Sequence, residues 1–323
     1  MIRIHRMFLF LLLLAAAAFV LPRAEAQSIS CSATMSNINF GSVNPLSSQT
    51  DATATLNYTC TNSQILFTRH ATVCFSIGDG VQGDANANPR LMQDSAGHDL
   101  FFQLYQNSAR TVVWGSLFFG INTPVEVDLS IPARGSRSGS VVMYGRVIGG
   151  QTTAVPGAYQ DQFTGGHTAV TINESILSPP GNCSTTILSS FPFTASANVT
   201  SQCSVSATTL NFGTVGLLAA NTDGTSTVSV QCANGVPYQV GLNNGQHASG
   251  NIRRMQGPGG LVTYELYRNS ARTQRWGNTL NSDTVIGSGS GGTQAITVYG
   301  RVPAQTTPTA GTYNDTITVT VTY

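Results

Sequence analysis

Six cysteines are the residues of this 323-residue chain whose types and spacing speak most directly of chemistry. Cys31 and Cys60 stand 29 positions apart, and so do Cys203 and Cys232. Equal spacing at two places argues for one disulfide in each of two related units. Cys74 and Cys183 remain, and joining them is the simplest completion, although spacing alone admits other connectivities. Each short loop would contribute roughly 3–4 kcal/mol in the chain-entropy treatment of crosslinks. Zinc ligation is the competing chemistry. No Cys-x-x-Cys pair supports it, and the compartment read from the N-terminus is oxidising.

That compartment follows from residues 1–26, which read as an export signal. Arg3, His5 and Arg6 form a charged start, Phe8 to Val20 an apolar run, and Ala24-Glu25-Ala26 a small-x-small cleavage site. The run is too short for a spanning helix. The mature chain is expected to begin at Gln27 and to be soluble or surface-associated.

Other chemistries find little footing. There is no Gly-x-Ser-x-Gly, no His-Glu-x-x-His and no phosphate-cradling loop, so an enzyme is not expected. His70, His98 and His167 have no metal-ligand spacing. No cofactor or metal is expected. Lysine is absent, the formal net charge is +1, and no basic stripe invites nucleic acid.

What must be positioned is duplicated. Residues 105–111 read Tyr-Gln-Asn-Ser-Ala-Arg-Thr, and residues 267–273 read Tyr-Arg-Asn-Ser-Ala-Arg-Thr. Matching anchors surround them: Phe40-Gly41 with Phe212-Gly213, Met92-Gln93 with Met255-Gln256, and Trp114-Gly115 with Trp276-Gly277. Tyr144-Gly145-Arg146-Val147 likewise matches Tyr299-Gly300-Arg301-Val302. A period this long means two homologous domains. The expected division is a first domain over 27–183, a linker and leading strand over 184–202, and a second domain over 203–323.

Both copies read as all-β. Residues 316–323 alternate strictly, with Ile317, Val319, Val321 and Tyr323 on one face and threonines on the other. Residues 138–147, 225–230 and 293–302 are also β-rich. Gly, Asn, Ser and Pro punctuate at short intervals. Two tandem immunoglobulin-like antiparallel β-sandwiches are the expected architecture. Trp114 and Trp276 read as core residues. Before Cys203, Phe191, Phe193, Ala195, Ala197 and Val199 share one parity, predicting a long strand with no equivalent in copy one.

The Asn-Phe-Gly, Asn-Ser-Ala-Arg-Thr, Trp-Gly and Tyr-Gly-Arg-Val pieces resemble the spore coat protein U domain. That domain occurs in subunits of archaic, Csu-type chaperone–usher pili, and the resemblance covers nearly the whole mature chain twice. The tandem arrangement resembles a two-domain tip adhesin. The resemblance implies pilin domains lacking a final strand, filled first by a periplasmic chaperone and then by the adjacent subunit's extension at an outer-membrane usher. Nothing after Tyr323 would close the second sheet, so copy two is expected to be an acceptor with Ile317, Val319, Val321 and Tyr323 on its groove strand. Four residues before Cys31 are too few for a donor strand. The polarity implies the tip of a pilus, exported through the periplasm to the cell surface. Copy one must then complete its own sheet, with residues 184–200 as the source and a Cys74–Cys183 bond to pin them.

Copy one also carries apolar bulk that copy two lacks: Ile65-Leu66-Phe67, Leu117-Phe118-Phe119 and Val155-Pro156. These segments read as loops, where clustered apolar residues point to a contact surface for an apolar abiotic or host surface and for biofilm formation. A lectin-like tip and a structural pilus or coat subunit without a receptor are the alternatives.

Overall fold

The computed structural model describes residues 27–83 and 88–323; residues 1–26, read above as an export signal, lie outside them. The first sandwich comprises β1 (Ile29–Met35), β2 (Ile38–Val43), β3 (Thr50–Asn62), β4 (Arg69–Ile77), β5 (Arg90–Gln93), β6 (Asp99–Tyr105), β7 (Val125–Ile131), β8 (Ser136–Val147), β9 (Gly157–Phe163), β10 (Thr168–Ser175), β11 (Ile187–Ser189) and β12 (Phe193–Val199). One sheet has the order β1-β3-β8-β6-β5-β9-β12-β2 and the other β11-β10-β4-β7. Their burial alternates along strands such as β3 and β12, as a half-buried pleat requires.

The second sandwich comprises β13 (Cys203–Ala207), β14 (Thr222–Cys232), β15 (Pro237–Leu242), β16 (Arg253–Gly257), β17 (Gly260–Tyr267), β18 (Val285–Ser288), β19 (Thr293–Val302) and β20 (Val319–Thr322). Its sheets are ordered β13-β14-β19-β17-β16 and β18-β15-β20. These strands repeat β1, β3, β8, β6, β5 and then β7, β4, β10. Among the described residues, the second sandwich has no strands equivalent to β2, β9, β11 and β12. Each sandwich has its own apolar core.

The repeated anchors are structural. Trp114 and Trp276 are fully buried, and their indole N–H groups donate to the carbonyls of Phe75 and Val240, each at 2.8 Å. Buried Arg90 donates to the carbonyls of Ile77, Gly78 and Trp114; buried Arg253 serves Leu242, Asn243 and Trp276 in the same way. Each guanidinium thus fastens the end of one sheet to the other. Burial holds both below the usual arginine range.

The disulfides are Cys31–Cys60, Cys203–Cys232 and Cys74–Cys183. The first two join directly opposed residues of neighbouring antiparallel strands. The third ties β4 to the segment before β11.

The strand expected over 316–323 is shorter than its alternation predicts: β20 covers Val319–Thr322. The reason is a missing neighbour. Residues 311–317 occupy the place of β9 but keep only an isolated bridge, between Gln256 and Asn314, where β9 has β12 along its length.

Candidate functional site

The strand before the second domain belongs to the first. β12 runs antiparallel to β9, with Phe193 opposite Phe163 and Val199 opposite Gly157, and parallel to β2, with Ala195 beside Ile38 and Val199 beside Val43. Phe193, Ala195, Ala197 and Val199 are buried; Asn198 faces solvent. β12 therefore lies between β9 and β2, second from the edge of its sheet, and satisfies backbone groups on both sides.

At the same place in the second sandwich lies an open trench. Two adjoining cavities, about 350 and 590 Å³, run between residues 210–215 and 311–317. Leu210, Phe212, Met255, Tyr264, Tyr313 and Ile317 line them. Ile38, Phe40 and Met92 are buried in the first sandwich, whereas their counterparts Leu210, Phe212 and Met255 are only half-buried, and Val215 is exposed. Ile317 and Val319 line the trench and Val321 is half-buried in the pairing with Val240, while Tyr323 lies beyond the strand and is exposed.

A second feature lies at the opposite pole of the first sandwich. Loop 63–68 carries Ile65, Leu66 and Phe67, all exposed, with Leu66 74% so. Buried Asn62 shapes it, donating to the carbonyls of Phe67, Ile131 and Pro132 and accepting from the backbone N–H of Gln64 at 2.9 Å. Glu174 reaches Ser28, whose carbonyl accepts from Ser63, so the end of β10 lies at this pole. There Ile176 and Leu177 are exposed, the latter 86%.

The three apolar segments expected to form one surface are thus divided. Leu117, Phe118 and Phe119 are half-buried at the far end of β4, where Phe119 stacks on His167 with ring centroids 4.8 Å apart. Val155 and Pro156 are half-buried at the junction, where Asn234 of the second domain donates to the carbonyl of Thr153 at 3.0 Å. The strand directions separate them: β4 begins beside loop 63–68 and ends beside Phe119. Ile176-Leu177 takes their place at the pole.

The family described as Spore Coat Protein U domain matches residues 17–165 and again 189–320. The chain belongs to this family. Protein U of Myxococcus xanthus is 33% identical over 145 residues, covering 39% of this chain and 80% of that protein. The fold is also that of the CsuC–CsuE chaperone–tip adhesion subunit pre-assembly complex from the archaic chaperone–usher Csu pili of Acinetobacter baumannii. That likeness has a TM-score of 0.53 at 18% identity, over 91% of this chain and 100% of the other. The CupB6 tip adhesin from Pseudomonas aeruginosa aligns with a TM-score of 0.35 at 13% identity, over 91% and 94% of the two chains.

The motifs shared by the two Spore Coat Protein U copies interlock. Arg110 stands 5.7 Å over the ring of Tyr144 and bonds to Gly145, while Arg146 grips Asp51 through two nitrogens. Arg272, Tyr299, Gly300, Arg301 and Asp223 repeat this lock. Arg110 and Arg272 both have positive φ, near 55°, which the Asn107 and Asn269 side chains stabilise by accepting from the following backbone. The Arg146 and Arg301 guanidiniums hold Asp51 and Asp223 below the usual carboxylate range.

Among the described residues, Cys74, Glu126 and Cys183 form the one group with metal-ligand proximity, and its two sulfurs are joined as a disulfide. His70, His98 and His167 lie apart, contacting Ser130, Asp94 and Asp79 respectively. A shallow cleft of about 510 Å³ beside the linker carries Gln106, Asn122, Glu126 and Asn182.

Proposed function

We propose that this chain is the tip adhesin of a chaperone–usher pilus. The first sandwich makes the contact with a surface. The second receives a strand, first from a periplasmic chaperone and then from the adjacent pilus subunit delivered at the outer-membrane usher. The observation that carries this reading is the contrast between two equivalent positions. β12 fills the place between β9 and β2 in the first sandwich, and a trench lies open there in the second. A sandwich with exposed core and unpaired edges is a template for strand addition.

Orientation supports the division of labour. β12 leaves the first sandwich at Val199, beside Val43 and Gly157 at the junction with the second domain, whereas loop 63–68 follows Asn62 at the other end of β3, so the pole lies at the end remote from the acceptor. Ile65, Leu66, Phe67, Ile176 and Leu177 form an exposed apolar group where soluble proteins usually shed such residues. Each large side chain buried against an apolar surface contributes roughly 1.5–3 kcal/mol, and many pili acting together multiply the effect. Biofilm formation on apolar surfaces follows from such attachment.

The test uses piliated cells carrying Leu66→Asp, Phe67→Asp and Leu177→Asp together. Normal pili with attachment to polystyrene reduced at least tenfold is the expected result. Unchanged attachment would remove the pole from the contact. Blocking of attachment by one free sugar would move the contact to the polar cleft and favour the lectin-like reading. Phe212→Asp is expected to abolish assembly instead.

A further inference from the structure

The first sandwich contains a finished version of the trench that the second leaves open. The two map residue by residue. Tyr159 O–H donates to the carbonyl of Val155 at 2.9 Å, and Tyr313 O–H to that of Thr309 at 2.8 Å. Gln93 pairs with Gln160, as Gln256 pairs with Asn314. Asn39 accepts from Gly41 N–H, and Asn211 from Gly213 N–H, both at 2.8 Å. Residues 157–163 therefore correspond to 311–317, and residues 38–43 to 210–215.

Resting on the acceptor reading above, we propose that the partner strand runs antiparallel to residues 311–317 and parallel to 210–215, with inward residues that read large apolar, small, small, β-branched. This is the pattern of Phe193, Ala195, Ala197 and Val199, with Thr194, Ser196 and Asn198 as the intervening polar residues. The side chains that flank the middle positions keep their size between domains: Ile38 becomes Leu210, while Phe40, Met92 and Tyr159 recur as Phe212, Met255 and Tyr313. The space above them suits alanine-sized groups. At the leading end the second domain is roomier. Phe163, Met143 and Leu56 become Ile317, Val298 and Val228, and the 350 Å³ cavity is bounded by these three smaller side chains. A large apolar residue is needed to fill it. At the trailing end the strand passes Gly311 and Val215, the counterparts of the Gly157 and Val43 that flank Val199.

The chain supplies its own test. In the first sandwich the polypeptide leaves β10 and returns as β12; β20 pairs with β15 as β10 pairs with β4, so an extension after Tyr323 starts at the corresponding end. The mature chain extended after Tyr323 by a flexible Gly/Ser linker and a copy of residues 191–200 is compared with the unextended chain. The expected result is a monomer whose second-domain unfolding midpoint rises by about 10 °C or more. Three altered extensions are expected to lose that gain: leucine at both alanine positions, the segment in reversed order, and a one-residue deletion that inverts the parity.

Equal stabilisation by the leucine or reversed extension overturns the proposed pattern. If no extension stabilises a second domain that is loose and readily proteolysed, the pattern fails while the acceptor reading stands. If the unextended second domain already unfolds as cooperatively and as late as the first, the acceptor reading fails as well.

Discussion

Phe193 lies flat on Phe163, with ring centroids 4.4 Å apart and planes 2° from parallel. Phe163 in turn meets Phe102 edge-on at 6.4 Å. The first residue of β12 is thus built into the aromatic centre of the first core. Phe193→Ala is expected to cost about 3–5 kcal/mol, because the side chain is lost and the rings around it cannot collapse fully. Phe193→Leu is expected to cost less. Calorimetry of the mature chain should show the first-domain transition falling while that of the second stays in place. Equal movement of both transitions would mean that β12 serves the second domain.

The architecture was legible because its signals are local and doubled. Alternation marked the strands, and the repeated anchors marked two domains. The division of the apolar loops was not legible, since loop proximity depends on strand direction and pairing rather than on composition. Ile176-Leu177 carries no local signal of its exposure, because it precedes Pro179-Pro180 in a segment that reads as a connector. Arg90 and Arg253 were hidden for a different reason: an isolated arginine reads as surface, and only the converging carbonyls reveal a buried guanidinium. The interlock of Arg110 with Tyr144 joins two motifs whose contact sequence separation conceals.

The Cys74–Cys183 bond closes a loop of 109 positions and ties the connector to β4. Replacing both cysteines by alanine is expected to destabilise the first domain by about 2–5 kcal/mol. The local effect should be larger than the global one. β11 contributes only Ile187–Ser189 to its sheet, so the connector would lose its strongest tether. Limited proteolysis should then cut within residues 176–192 well before other sites. An unchanged cleavage pattern would show that β11 and the Asn173–Asn182 contact hold the connector unaided.

Asp161 couples the first domain to pH. Burial raises its carboxyl from the ordinary 3.8 to about 7, against the opposing hydrogen bonds of neighbouring backbone N–H groups and the attraction of Arg90. Between those values the folded chain holds a proton that the unfolded chain releases. The stabilisation is therefore complete below about pH 3.8 and is lost as pH rises through about 7, by at most about 4 kcal/mol. Asp51 works in the opposite sense, because its pairing with Arg146 is lost only in acid below its ordinary range. Between pH 5 and 8 the first-domain midpoint should fall. Asp161→Asn, which keeps an acceptor for Gln82 N–H, should remove most of that slope. A slope unchanged in the variant would mean that Asp161 does not carry it.

Gly145 and Gly300 occupy equivalent places but face different neighbours. A Cβ at Gly145 would stand 2.4 Å from Ile38 Cδ1 and 2.8 Å from Phe40 Cζ; at Gly300 it would stand 2.7 Å from Leu210 Cδ1 and 3.0 Å from Phe212 Cζ. Ile38 and Phe40 belong to β2, which β12 holds in place, so they have little room to yield. Leu210 and Phe212 flank the open trench and are not clamped by a neighbouring strand. Gly145→Ala is therefore expected to cost about 1–3 kcal/mol through overpacking, and Gly300→Ala less than about 1 kcal/mol in the uncomplemented chain. Occupation of the trench should cancel the difference, because a seated strand would fix Leu210 and Phe212 as β12 fixes their counterparts. Two-transition calorimetry of each variant, with and without the extension after Tyr323, measures all four values. A Gly300→Ala penalty as large as that at Gly145, present before any strand is seated, would mean that residues 210–215 are already held firmly and that the trench is rigid without its partner.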